Sequence, residues 1–212
     1  MARIVFDLDG TLIDSAADIA AAANATLAEV GAPPLSVDLA RSFVGAGAVV
    51  FVERMARARN LPDAAALVPR FVHHYEGAVH QTVIYPGVEA ALAALKDQGH
   101  RLGLCTNKPA RPTQAVLAHL GWTQLFDTVF TGDSLPQRKP DPAPLLAALD
   151  ALGSGPAIYV GDSEVDVQTA ERAGVPFLLY TPGYRATPLE ELTHAAAFDA
   201  WADVPKLVAD LS

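Results

Sequence analysis

The sequence predicts an α/β fold, a parallel sheet with an inserted block of helices, on three observations. Two strand-like runs, Arg3–Phe6 and 157–160, each end in a turn that carries at least two carboxylates. From Pro86 onward, short apolar runs alternate with stretches of helical period. Between the first run and Pro86 there is no strand period, and the composition favours Ala, Leu, Glu and Arg.

In chain order, Arg3–Phe6 is rich in β-formers and closes on Asp7-Leu8-Asp9-Gly10, a strand followed by a glycine turn. The helical block follows from about Ala16 to Gln81. Pro86-Gly87 then introduces an amphipathic helix over 88–98, strand Arg101–Cys105, helix 113–120, strand Thr128–Phe130 and helix 143–152. The alternation continues through strand 157–160, helix Glu164–Ala173, strand Phe177–Tyr180 and a closing helix at 204–211. Strands separated by helices pair in parallel and are covered on both faces. The expected architecture is a Rossmann-like core of about five to six strands, built from residues 1–15 and 82–212, with 16–81 as an all-helical cap.

Composition narrows the function classes. The 212 residues are 51% hydrophobic and 18% charged, which suits a packed core and not a disordered chain. A formal charge of −9 argues against nucleic-acid binding, so an anionic ligand would have to be met by local cations. The single Cys105 excludes an internal disulfide and a multi-cysteine zinc site, and the cytosol is the expected compartment. Asp7 and Asp9 interrupt the first apolar stretch, so no signal peptide is expected, and no uncharged run approaches the ~20 residues that span a bilayer.

Turn chemistry asks for one Asp or Asn before a glycine; Asp7 and Asp9 supply two carboxylates. Close carboxylates repel unless a cation or a shared proton relieves them, so the pair could bind metal, act as nucleophile and acid, or both. Gly161-Asp162-Ser163-Glu164-Val165-Asp166 ends a second run in the same way. In an open parallel sheet such turns converge outside the carboxyl ends of the strands, and hard oxygen ligands there suit Mg²⁺. The local alternative is helix capping: Ser163 and Asp166 have capping-box spacing, repeated by Thr11 and Asp14.

The third strand end, Cys105-Thr106-Asn107-Lys108-Pro109, offers a hydroxyl, an amide and an ammonium. Positioned donors of this kind hold phosphate oxygens, although Thr106 and Asn107 also suit a helix cap. Lys139 precedes the helix that begins near Ala143, where the macrodipole disfavours a cation, so it requires a carboxylate or phosphate partner unless it is solvated. Cys105 sits in a Leu-rich strand and reads as a small buried hydrophobe rather than a nucleophile. The six histidines show no metal-ligand spacing.

Asp7-x-Asp9-Gly10-Thr11, Thr106-Asn107, Lys139-Pro140 and Gly161-Asp162-Ser163-x-x-Asp166, in that order, closely resemble the haloacid dehalogenase superfamily of phosphotransferases. Thr11-Leu12-Ile13-Asp14-Ser15, Tyr85-Pro86-Gly87 and Lys139-Pro140-Asp141-Pro142 look like its branch that hydrolyses 2-phosphoglycolate and similar small esters. The resemblance implies that Asp7 attacks phosphorus to form an aspartyl-phosphate, while Asp9 protonates the leaving oxygen and then activates water. It implies Mg²⁺ held by Asp7, Asp162 and the Asp9 carbonyl, with Asp166 in or just behind the metal shell. Thr106 and Lys139 would hold phosphoryl oxygens, and Gly10, Thr11 and Asn107 belong to the same substrate-binding set. In the cap, the turn at Gly45 is expected to face the site, and Arg41 is expected to clamp a substrate carboxylate or to be a surface cation.

Rival readings share many of these residues. A dehalogenase needs neither Asp9 nor Asp162. A sugar-phosphate mutase would use every motif and differ in how the cap holds its intermediate. A non-catalytic phospho-Asp signalling module also combines acids, a hydroxyl and a Lys, but has no cap. The expected activity is Mg²⁺-dependent hydrolysis of a small phosphate monoester, 2-phosphoglycolate first.

Overall fold

The computed structural model describes residues 1–212. Its centre is β1 (Arg3–Phe6), which leads into the two-residue β2 (Ile13–Asp14) and four helices: α1 (Ala16–Ala28), α2 (Val37–Arg41), α3 (Ala48–Ala58) and α4 (Ala64–Glu76). The chain returns through β3 (Val83–Ile84), α5 (Val88–Asp97), β4 (Arg101–Cys105), α6 (Ala110–His119), β5 (Thr128–Phe130) and α7 (Ala143–Ala151). It ends with β6 (Ala157–Gly161), α8 (Glu164–Ala173), β7 (Phe177–Tyr180), β8 (Ala196–Phe198) and α9 (Val204–Asp210). No helix is long and apolar enough to cross a membrane.

Six strands form one parallel sheet in the order β5-β4-β1-β6-β7-β8. The order reverses direction at β1, so the crevice beyond its carboxyl end is where this topology collects ligands. Phe6 is level with Leu104 on one side and Val160 on the other. The residues that follow, Asp7, Cys105-Thr106 and Gly161-Asp162, therefore emerge side by side.

Period-two alternation divides the core between the two faces of the sheet. Ile4, Phe6, Leu104 and Val160 pack with Val88, Leu92, Trp201 and Val204 on one face. Val5, Cys105 and Tyr159 pack with Leu145, Leu149 and Val167 on the other. A separate apolar cluster binds α1 to α4 together, with Phe51 and Phe71 stacked 4.9 Å apart at its centre.

The structure departs from the sequence reading in its smallest elements. β2 and β3 form an antiparallel ribbon, Ile13 opposite Ile84, where the chain leaves the sheet and returns, and two residues are too few to show a period. β8 was not expected, because Ala196 and Ala197 carry no strand signal. α6 begins at Ala110 rather than 113, because Pro112 stands in its first turn, where its missing N–H breaks no helical bond.

Candidate active site

β1 ends at Phe6, and Asp7 and Asp9 follow in a tight loop in which the Leu8 carbonyl accepts from the N–H groups of Thr11, Leu12 and Ile13. Gly10 has φ of +88°, and a Cβ there would lie 2.4 Å from Asp162 Oδ2, so only glycine allows both the turn and the approach of that carboxylate. Thr11 Oγ1 donates to Asp162 Oδ1 at 2.7 Å, and the backbone N–H of Tyr184 donates to Oδ2 at 2.6 Å. Thr11 is therefore spent on Asp162 and forms no capping box with Asp14. Asp14 Oδ1 instead accepts from the Tyr184 hydroxyl and the Ala16 N–H.

Lys139 is buried among acids. Its Nζ lies 2.7 Å from Asp166 Oδ1, 2.8 Å from Asp7 Oδ1 and 2.9 Å from the Tyr159 hydroxyl. Burial opposes its charge, but Asp166 and Asp7 outweigh burial and hold the ammonium protonated beyond its ordinary range. Asp166 caps α8 and pairs with Lys139. Oδ1 accepts from Lys139 and Tyr159, while Oδ2 accepts from the Ser163 N–H and hydroxyl at the start of α8. Burial raises its pKa, but Lys139 and these hydrogen bonds prevail and keep it below the ordinary carboxylate value.

Asp7 and Asp162 are less well compensated. Burial pushes Asp7 up to about 7 despite Lys139, and burial with the nearby Asp166 pushes Asp162 up as well. Asp7 Oδ1 is buried and close to Lys139 but receives no well-aligned hydrogen bond. Carboxylate oxygens of Asp7, Asp162 and Asp166 lie within 4.8 Å of one another. Three acids against the single ammonium of Lys139 leave two negative charges, and an all-oxygen donor set with that excess fits a hard divalent cation.

A cavity opens over Asp7 and Asp9. Thr106, Asn107 and Lys108 form its core side, and Ile19, Gly45, Gly47, Phe51, Phe71 and Tyr75 close it from the helical side. The Asn107 amide joins the two sides, donating to the carbonyls of Gly45 and Lys139 at 2.9 Å each. Asp9 Oδ1 accepts from Ser15 Oγ at 2.5 Å and from Lys108 Nζ at 3.0 Å.

The structure thus brings together Asp7, Asp9, Gly10, Thr11, Thr106, Asn107, Lys139, Asp162 and Asp166, with Gly45 on the cavity wall. Of the two readings of Arg41, its position fits the surface cation: it pairs with Asp38 at 3.0 Å and Asp14 at 3.3 Å and does not line the cavity. Sequence reasoning assigned no role to Tyr75, Tyr159, Tyr184 or Ser15. Their signal is faint, since a tyrosine in an apolar strand or helix reads as core.

Cys105 is buried beneath Thr106, and burial pushes its thiol up to about 12 from an ordinary 9.0. The native protein should therefore resist iodoacetamide at pH 8 to 9 and take up one alkyl group only after denaturation, as read by intact mass. Rapid native alkylation would contradict this environment. Because the folded-state value is the higher one, the thiol costs stability as pH rises above 9.0, where only the unfolded chain ionises it.

Residues 4–180 match the family model of the haloacid dehalogenase-like hydrolases. A phosphoglycolate phosphatase of Cereibacter sphaeroides is 48% identical over 98% of either chain. One of Rhodobacter capsulatus is 44% identical over 97% of this chain and 95% of its own. The crystal structure of a predicted phosphoglycolate phosphatase from Haemophilus somnus superposes with a TM-score of 0.90 at 33% identity, covering 97% of each chain.

Proposed function

The chain belongs to the haloacid dehalogenase-like hydrolases, and we propose that it hydrolyses 2-phosphoglycolate to glycolate and phosphate through an aspartyl-phosphate on Asp7. The observation that carries this reading is the convergence of Asp7, Asp9, Thr106 and Lys139 at one end of the sheet, where Asp7, Asp9 and Thr106 face a cavity. The phosphoglycolate phosphatases that align along nearly the whole chain support the choice of substrate.

Asp7 is the nucleophile. Its carboxylate attacks phosphorus, forming one P–O bond as the ester P–O bond to the leaving oxygen breaks. Lys139 holds Asp7 in place and balances charge on the phosphoryl oxygens, with the Thr106 hydroxyl beside it as a donor. Asp9 keeps Oδ1 for Ser15 and Lys108, and its Oδ2 has no protein partner, so that oxygen is free to give its proton to the leaving oxygen. The same oxygen then takes a proton from the water that attacks the aspartyl-phosphate, which releases phosphate and restores Asp7. Closing the site with the apolar helical wall limits the entry of other water.

Asp7 and Asp162 are placed to hold Mg²⁺, the family resemblance adds the Asp9 carbonyl, and the ion when bound would supply the positive charge that lets an anionic carboxylate approach an anionic phosphate. Asp166 is better described as the residue that orients Lys139. Its two oxygens already accept at least four hydrogen bonds, which fills a carboxylate's capacity.

The test is phosphate release from a panel of esters, 2-phosphoglycolate and sugar phosphates among them, with Mg²⁺ or with EDTA. Strong preference for 2-phosphoglycolate and loss in EDTA are expected. Equal turnover of many esters would overturn the substrate. Transfer between sugar phosphates without release, or a phospho-Asp7 that persists for hours, would replace the phosphatase reading with the mutase or signalling one.

A further inference from the structure

Lys108 is the one cation among the residues that line the cavity, and its side chain is only 2% exposed. A buried ammonium is costly unless its charge and its three donors are used. Nζ donates to Asp9 Oδ1 at 3.0 Å and to the Tyr75 hydroxyl at 2.5 Å, and sits 4.3 Å from the centre of the Tyr75 ring. One ammonium proton is left over. The Tyr75 hydroxyl accepts from Lys108 but donates to no protein group, so a second proton beside the first is also unplaced.

The first turn of α3 borders the same cavity through Gly47 and Ala48. It carries no acid, and Gly47 supplies no capping side chain, so its free N–H groups add positive potential to that wall. The rest of the helical wall, Ile19, Phe51 and Phe71, is apolar. The cavity therefore sets Asp7, Asp9 and a single cation, Lys108, against an apolar helical wall, and the unplaced protons of Lys108 and Tyr75 offer the anionic group of a small ligand a fixed place beside Asp9.

We propose that Lys108, assisted by Tyr75, is the specificity residue that binds the carboxylate of the leaving group. The inference rests on the substrate proposed above and identifies what recognises it. Asp9 addresses the leaving oxygen, the carboxylate of 2-phosphoglycolate is one methylene from that oxygen, and Lys108 is the cation in contact with Asp9. This is the role that the sequence suggested for Arg41.

Ethyl phosphate is the matched control, since it replaces the carboxylate by a methyl group and keeps the ester. The quantity to measure is the ratio of kcat/KM for 2-phosphoglycolate to that for ethyl phosphate. Lys108→Met should lower this ratio by about 10- to 100-fold, the value of a hydrogen bond to a charged group. Tyr75→Phe should lower it in the same direction by about 3- to 10-fold and carries the test if the first variant fails to fold. Arg41→Met should leave the ratio as in wild type. A ratio unchanged in folded Lys108→Met, including equal loss on both esters, would overturn the carboxylate role and leave Lys108 as a support for Asp9. A wild-type ratio near one would instead overturn the substrate assignment together with the carboxylate site, so the two failures are distinguishable.

Discussion

Asp7→Asn is expected to lower phosphate release on the order of 10⁴-fold or more, as loss of a covalent nucleophile does. The amide has the shape of the carboxylate and keeps the loop intact, but it has neither the charge nor the lone-pair basicity to displace an ester oxygen. Stability should move differently. Asp7 is buried beside Asp166, and its pKa is pushed up to about 7, so its charged form strains the folded protein above that pH. Removing the charge should leave the melting temperature in EDTA at pH 8 unchanged or higher, while Mg²⁺ should stabilise the variant less than it does wild type. A folded variant, its amide verified intact by mass, that kept normal turnover would exclude the covalent mechanism.

The ends of the main strands were legible because each site motif follows an apolar run. Asp7 after Val5-Phe6, Thr106 after Leu104-Cys105 and Asp162 after Val160-Gly161 become neighbours once those strands are placed in register. Lys139 was partly legible through an electrostatic conflict: a cation before a helix called for a carboxylate or phosphate partner, or for solvent, and it has Asp7 and Asp166. The tips of amphipathic side chains were not legible. Tyr159 and Tyr75 bury their rings as periodicity demands, yet their hydroxyls join the Lys139 and Lys108 networks, and periodicity carries no information on where a hydroxyl ends. The choice between the two readings of Arg41 was not legible for a related reason. A long side chain on a short helix can reach several acids, and sequence spacing does not rank Asp14 and Asp38 against a cavity.

Lys139→Met should abolish measurable turnover and also destabilise the protein, and the second effect tests the charge balance of the site. The ammonium is fully enclosed, so solvent does not screen its contacts with Asp7 and Asp166. Removing one partner from a buried ion pair costs about 3 to 5 kcal/mol, because the remaining charges are left uncompensated. Methionine fills most of the lysine's volume, so little of that cost would come from packing. Urea unfolding in EDTA at pH 8 should show the loss, and Mg²⁺ should recover part of it by supplying the missing positive charge near Asp7 and Asp162. Adding Asp166→Asn removes one of the stranded charges while keeping an acceptor for Tyr159 and Ser163. The double variant should therefore be more stable than Lys139→Met alone and equally inactive. If it were no more stable, Lys139 would be holding the site by shape, and the excess of negative charge that favours a divalent cation here would have to be abandoned.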